Sequence, residues 1–386
     1  MSAAPAQRLL HRGDRPASGG AIAPPADLPV PEVVPAGYIL ADLTPSPATL
    51  VHDNPRLTCP TMPALSLPAA KGSLMSTSET YSRVAVVGAG TIGASWTALF
   101  LAHGLHVTVS DPRQDLEEYV TAQLLAFTPT LAALGLPTGD LTARLVFEPE
   151  LEKAVADADV VQESGPDDLS LKQELFARLG AATRPGTLLL SSTSGIRATD
   201  FTARMAAPGR VAVGHPFNPP HLIPLVEIVP GEQTEAGTLE DAAAFYRQVG
   251  KQPLILRREI PGFVANRLQS ALFREAVHLV ITGVVSLKDL DTIVTSSIGP
   301  RWAAGGPFLT FDLGGGPGGL EHFLKHLGPG MEMLWQLLGK PSFDEATIAT
   351  LDAQVREAYG DRTYDQLSTV RDRDQLALMA ALHKAN

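Results

Sequence analysis

A doubly wound α/β sheet followed by an all-helical domain is predicted by three observations. Short β-branched runs alternate with helical stretches from Tyr81 onward, a glycine cluster joins the first run to an apolar helix, and past Pro261 no convincing strand remains. The runs Val84 to Val87, His106 to Val109, Asp159 to Val161, Thr187 to Leu190, Val211 to Val213 and Leu225 to Val229 have strand length. Most lack polar alternation, so both of their faces should be buried. Helices are expected from Ala94 to Ala102 and from Leu169 to Thr183, the latter closed by the breaker pair Pro185-Gly186. Residues 263–283 and 286–298 read as helices, the Gly314-to-Gly319 stretch reads as a loop before more helix, and further helices run from Thr347 to Lys384. The spacing puts a domain boundary near Ile260, giving a sheet domain over 81–260 and a helical domain over 261–386.

Residues 1–80 differ in texture. They hold 13 of the 32 prolines, interspersed with Ala, Ser and Thr and without a period of 3.6 or 2, which is the composition of a disordered, flexible arm. Arg8, Arg12 and Arg15 would suit an organelle-targeting helix, but the prolines oppose one; Met75 is an alternative translation start.

Composition excludes several classes of function. A net charge of −11 leaves no basic footprint for nucleic acid. No run reaches the ~18 apolar residues of a membrane span, and no secretory core opens the chain, so the expected location is cytoplasmic. Cys59 is the only cysteine, which excludes an intrachain disulfide and a thiolate metal cluster, and no metal is expected.

The glycine cluster carries the first chemical signal. Gly88-Ala89-Gly90-Thr91-Ile92-Gly93 matches G-x-G-x-x-G in the context that gives the motif meaning, after a strand and before a helix. Gly88 permits the turn, Gly90 lets backbone approach a pyrophosphate, and Gly93 allows close helix packing, as in a Rossmann-type unit. The next strand ends at Asp111, where a carboxylate can bind the adenosine ribose and repel a 2′-phosphate. NAD is therefore preferred over NADP, with Arg113 as the one contrary signal.

A nicotinamide cofactor accepts hydride, so the protein must supply a base for the alcohol proton. His215, in Gly214-His215-Pro216-Phe217-Asn218-Pro219, follows a strand and lies where such sheets bind ligands. Glu227 interrupts the apolar run Leu225 to Val229; a carboxylate there needs a partner, and His215 is the economical one. Ser191-Ser192-Thr193-Ser194-Gly195 also follows a strand, and its hydroxyls can bond a substrate oxygen or cap a helix. Asn266 falls in the first turns of the first helix of the second domain.

From about Ser82 to Gly330 the chain resembles the L-3-hydroxyacyl-CoA dehydrogenase superfamily, particularly the branch that includes L-gulonate 3-dehydrogenase (lambda-crystallin) and L-carnitine dehydrogenase. The motifs are GAGTIG at 88–93, QES at 162–164, SSTSG at 191–195, GHPFNPP at 214–220, PLVEIVP at 224–230 and PGFVANRL at 261–268. The resemblance implies that His215 is the base and Glu227 its partner, and that Ser194 and Asn266 hold the reacting oxygen. It implies cofactor contacts at Thr91, Ile92, Asp111 and Lys172, with Asp167 where the gulonate enzyme has glutamate. It also implies a homodimer through the helical domain. Members that take CoA thioesters carry a lysine-rich excursion after the second strand, whereas residues 112–150 here contain no lysine and only Arg113 and Arg144. A small, CoA-free 3-hydroxy acid is the expected substrate, with Arg301 as a candidate carboxylate clamp. The alternatives are a 3-hydroxyacyl-CoA dehydrogenase and a non-catalytic NAD-binding protein.

Overall fold

The computed structural model describes residues 81–383. The expectations for the N-terminal arm, its targeting character, Met75 and Cys59 lie outside the described residues. The first domain is an eight-stranded sheet. Its elements are β1 (Arg83–Val87), α1 (Thr91–Ala102), β2 (His106–Ser110), α2 (Leu116–Ala133), β3 (Leu145–Phe147), α3 (Leu151–Val155), β4 (Val160–Glu163), α4 (Leu169–Ala182), β5 (Leu188–Ser191), α5 (Ala198–Phe201), β6 (Val211–Pro216), β7 (Leu225–Pro230), α6 (Ala236–Gln248) and β8 (Gln252–Ile255). The sheet order is β3-β2-β1-β4-β5-β6-β7-β8, parallel throughout except where β7 runs against β6.

Chain direction across the sheet reverses between β1 and β4, the point at which doubly wound sheets open a ligand crevice at their carboxyl edge. The central strands β4, β5 and β6 are buried at every residue, as continuous apolar runs require. One core lies on the face covered by α1, α2 and α6, with Trp96, Phe100, Phe245 and Tyr246 packed together; the other, around Phe176, Leu179, Phe201 and Phe263, lies beneath α3, α4 and α5. Two strands were not expected from the sequence. β3 is three residues at one edge, and β8 contains Pro253 at the other, so neither presents the apolar, proline-free run that marks a central strand.

The second domain is helical: α7 (Ala265–Ile281), α8 (Leu287–Ser296), α9 (Ile298–Gly314), α10 (Gly319–Leu337), α11 (Glu345–Tyr359) and α12 (Tyr364–His383). Ser286 and Asp344 cap α8 and α11 through their side chains. A single 3-10 turn, Gly316–Gly318, occupies the glycine-proline loop. Gly306, at φ 68°, kinks α9 ahead of Pro307. The last helix, α12, returns to the sheet domain and packs against α2.

Candidate active site

The glycine turn is built as its sequence demands. Gly88 adopts φ 96°, a left-handed value that favours glycine. A Cβ on Gly93 would sit 1.8 Å from the Gly88 carbonyl oxygen, so the third glycine is fixed by helix-to-turn packing. Around Gly90 a Cβ would meet nothing within 4 Å, which leaves open space against bare backbone. No side chain caps α1, whose first N–H groups and positive dipole end face that space. This cradle, which a Cβ would fill, fits a pyrophosphate.

Asp111 closes the far side. Its Oδ2 accepts the Ala89 N–H at 2.7 Å and its Oδ1 the Arg113 N–H at 2.9 Å, which fixes the carboxylate beside the turn. Arg113 gives its guanidinium to both oxygens of Asp115, at 2.8 and 3.0 Å, and stacks over Tyr119. The cation that could have received a 2′-phosphate is thus engaged elsewhere.

The pairing of His215 with Glu227 follows from sheet register. β6 and β7 are antiparallel with His215 directly opposite Glu227, and His215 Nδ1 lies 2.9 Å from Glu227 Oε2. Both residues are buried. Glu227 Oε1 also accepts the Val264 and Ala265 N–H groups, at 3.2 and 3.0 Å, at the start of α7. Burial pushes the Glu227 carboxyl up, but the His215 hydrogen bond and these two amides outweigh it and hold the group below the usual carboxylate range. A carboxylate at Nδ1 keeps the proton there and leaves the Nε2 lone pair free.

Nε2 meets Asn266. The Asn266 Nδ2 donates to the Ser194 carbonyl at 2.9 Å and stands 3.4 Å from His215 Nε2, so the amide spans the imidazole and the serine loop. Ser194 in turn donates its N–H and its hydroxyl to Asp167 Oδ2, at 3.0 and 2.7 Å. Burial pushes the Asp167 carboxyl up, but the hydroxyls of Thr193 and Ser194, the Ser194 N–H and the Lys172 charge together hold it low. Lys172 stands behind Asp167: its buried Nζ is 2.8 Å from Glu163 Oε1 and 3.5 Å from Asp167 Oδ1. The structure therefore joins Glu227, His215, Asn266, Ser194, Asp167 and Lys172 in one polar chain across the carboxyl edge. Arg301 is not in it; the residue is exposed on α9, and among the described residues no hydrogen bond or ion pair ties its guanidinium to this cluster.

Several supporting residues escaped the sequence reading. Ser95, on α1, accepts the His221 N–H and pairs with its Nδ1 at 2.8 Å; Lys251 Nζ donates to the carbonyls of Pro220 and Ile223. Both fasten the loop between His215 and Glu227. A serine inside an apolar helix and a lysine at a helix end give no sequence signal of such partners.

The reversal crevice, the glycine cradle and a histidine-carboxylate pair facing it define a nicotinamide-dependent dehydrogenase. Comparison with known proteins agrees. The 3-hydroxyacyl-CoA dehydrogenase NAD binding domain matches residues 83–260, and the C-terminal domain of the same family matches residues 262–350. The chain is 47% identical to the L-carnitine dehydrogenase of Streptomyces coelicolor over 307 residues, 80% of this chain and 96% of that one. It is 41% identical over 306 residues to a 3-hydroxyacyl-CoA dehydrogenase of Gibberella moniliformis, covering 78% and 95% of the two chains. Among solved structures, the NAD+-dependent 5-formyl-3-hydroxy-2-methylpyridine 4-carboxylic acid 5-dehydrogenase superposes with a TM-score of 0.68 at 29% identity, over 79% of this chain and 99% of that one. The chain belongs to the 3-hydroxyacyl-CoA dehydrogenase family and is an NAD-dependent oxidoreductase acting on a hydroxyl group.

Proposed function

We propose that the protein oxidises the 3-hydroxyl of a small, CoA-free 3-hydroxy acid of the carnitine or gulonate type to the 3-keto acid. The observation that carries this reading is the buried His215–Glu227 pair, with Nε2 directed at Asn266 where the two domains meet. NAD, when bound, accepts the hydride. His215 Nε2 takes the hydroxyl proton, and Glu227 stabilises the imidazolium through Nδ1. Asn266 and Ser194 align the oxygen that becomes a carbonyl, a contribution of orientation and fixed dipoles. Gly88, Gly90, Thr91, Ile92 and Gly93 hold the pyrophosphate, Asp111 the adenosine ribose, and Asp167, backed by Lys172, the far ribose.

The choice against CoA rests on residues 112–150. Arg113 is forked onto Asp115 and Arg144 onto the Gly104 carbonyl, so both of the segment's cations are already engaged. Relatives named L-carnitine dehydrogenase, at 39–47% identity, support the same branch. Arg301 is the carboxylate clamp in this reading. The helical domain exposes Leu268, Phe273, Ile293, Leu313 and Trp335, each more than half accessible in a single chain, which supports a homodimer through that domain; light scattering tests it. No helix among the described residues is long and apolar enough to cross a membrane. The reading includes a cytoplasmic location, tested by cell fractionation.

The deciding experiment follows NADH formation with carnitine, gulonate, 3-hydroxybutyrate and 3-hydroxybutyryl-CoA. Turnover of a free acid is expected. Turnover of the thioester alone overturns the substrate class, and no turnover with retained NADH binding favours a protein that only binds the cofactor.

A further inference from the structure

Beneath the glycine turn runs a set of buried polar side chains that the base and the Asp167 cluster do not use. The Tyr246 hydroxyl, on α6, is 2.7 Å from Gln162 Oε1 and 3.5 Å from the Gly214 carbonyl, so its proton belongs to the amide oxygen. That contact fixes the amide, whose Nε2 then donates to Ser192 Oγ at 2.9 Å. The indole Nε1 of Trp96 can only donate, and it reaches the same oxygen at 3.1 Å. Two donors fill both lone pairs of the Ser192 hydroxyl. Its single proton goes to Ser164 Oγ, 2.9 Å away.

Ser164 is therefore an acceptor in this pair, and its own proton meets no acceptor among the described residues. The residue directly follows β4, at the reversal point beside β1, and is half-buried. Its N–H donates to the Val87 carbonyl at 2.7 Å, and a Cβ on Gly88 would lie 2.7 Å from its carbonyl carbon. The Ser164 backbone thus lies against the phosphate turn, which brings its free hydroxyl proton to the crevice where a bound cofactor would lie.

We propose that the Ser164 hydroxyl is a cofactor-binding donor to an oxygen of the nicotinamide-side phosphate or of the ribose that phosphate carries, and that Tyr246, Gln162, Trp96 and Ser192 act as positioning residues by setting its polarity. The proposal rests on NAD binding and is independent of which hydroxy acid is oxidised. A hydroxyl whose partner already holds it as an acceptor has its own proton to give to a ligand, without a protein acceptor competing for it.

The test is equilibrium binding of NADH, ADP-ribose and AMP, with melting temperature recorded for each variant. Ser164→Ala should weaken NADH and ADP-ribose alike, by about five- to tenfold for one neutral hydrogen bond. AMP, which lacks the pyrophosphate and second ribose, should bind Ser164→Ala as it binds the native protein. Tyr246→Phe frees the Gln162 amide to turn and should weaken NADH by a smaller factor, with no further loss when combined with Ser164→Ala. Ser192→Ala carries the same test should Tyr246→Phe not fold. Native NADH affinity in Ser164→Ala, an equal loss for AMP, or losses that multiply in the double variant would overturn the proposal.

Discussion

Glu227→Gln separates the charge of the partner of His215, the proposed base, from its bulk. In the native protein Oε1 accepts from the Val264 and Ala265 N–H groups, while Oε2 accepts from His215 Nδ1. Glutamine has one oxygen. Backbone amides can only donate, so that oxygen stays with α7 and the NH2 turns toward Nδ1, which must become an acceptor. The histidine proton then moves to Nε2, the atom that receives the substrate's proton in the proposed reaction. A positioned general base contributes about 10²–10⁴ in rate, so kcat should fall by that range, or about 2.7–5.5 kcal/mol of barrier. The assay is steady-state turnover at saturating NAD and hydroxy acid, paired with NADH titration, where affinity should hold because no glycine-turn residue touches Glu227. A loss of kcat below about tenfold, with the fold intact, would refute the reasoning that His215 works through its Nδ1 partner.

The remaining predictions test the cofactor cradle, the loop and the substrate end. Gly90→Ala has space for its Cβ and an ordinary φ of −69°, so it should fold normally yet lose NADH affinity by more than about tenfold through contact with the pyrophosphate. Gly93→Ala, whose Cβ would meet the Gly88 carbonyl at 1.8 Å, should instead lose stability by about 1–3 kcal/mol or more; chemical denaturation of the pair distinguishes the two roles. Burial, with the Lys251 and Arg371 charges adding to it, pushes His221 from 6.5 down to about 4. The folded state then binds fewer protons between those values, so this contribution is whole above pH 6.5 and is lost as pH falls toward about 4. The loss is on the order of 3 kcal/mol. His221→Gln should flatten the stability profile in that window, and an unchanged slope would assign the acid sensitivity to other groups. Arg301→Met should raise the KM for the hydroxy acid about tenfold or more while kcat holds, as loss of a charged carboxylate contact requires; an unaltered KM makes Arg301 a surface residue.

How much of this could be read from the sequence depended on whether a residue's environment was local. The six runs became β1, β2, β4, β5, β6 and β7, because each carries closely spaced buried apolar residues over a strand's length, a pattern that an occasional polar residue such as Glu227 does not erase. β3 and β8 were missed because edge strands are short, half-exposed and tolerant of proline. Glu227 drew attention because a carboxylate within an apolar run demands a partner, and the antiparallel turn back from β6 put His215 directly across from it. Its second partner, the start of α7, lies 37 and 38 residues further on and could not be inferred from spacing. The same holds for Ser95 with His221, 126 residues apart. Lys172 was expected at the cofactor; its near-complete burial against Glu163 depends on how α4 packs beneath β4, which no local pattern encodes.

Glu227 has one oxygen on the histidine and the other on the first amides of the helical domain. One side chain thus registers the imidazole against both domains: the carboxylate that faces Nδ1 also takes up the first free amides at the entry to α7, so the place of His215 is set by the helical domain as well as by its own sheet.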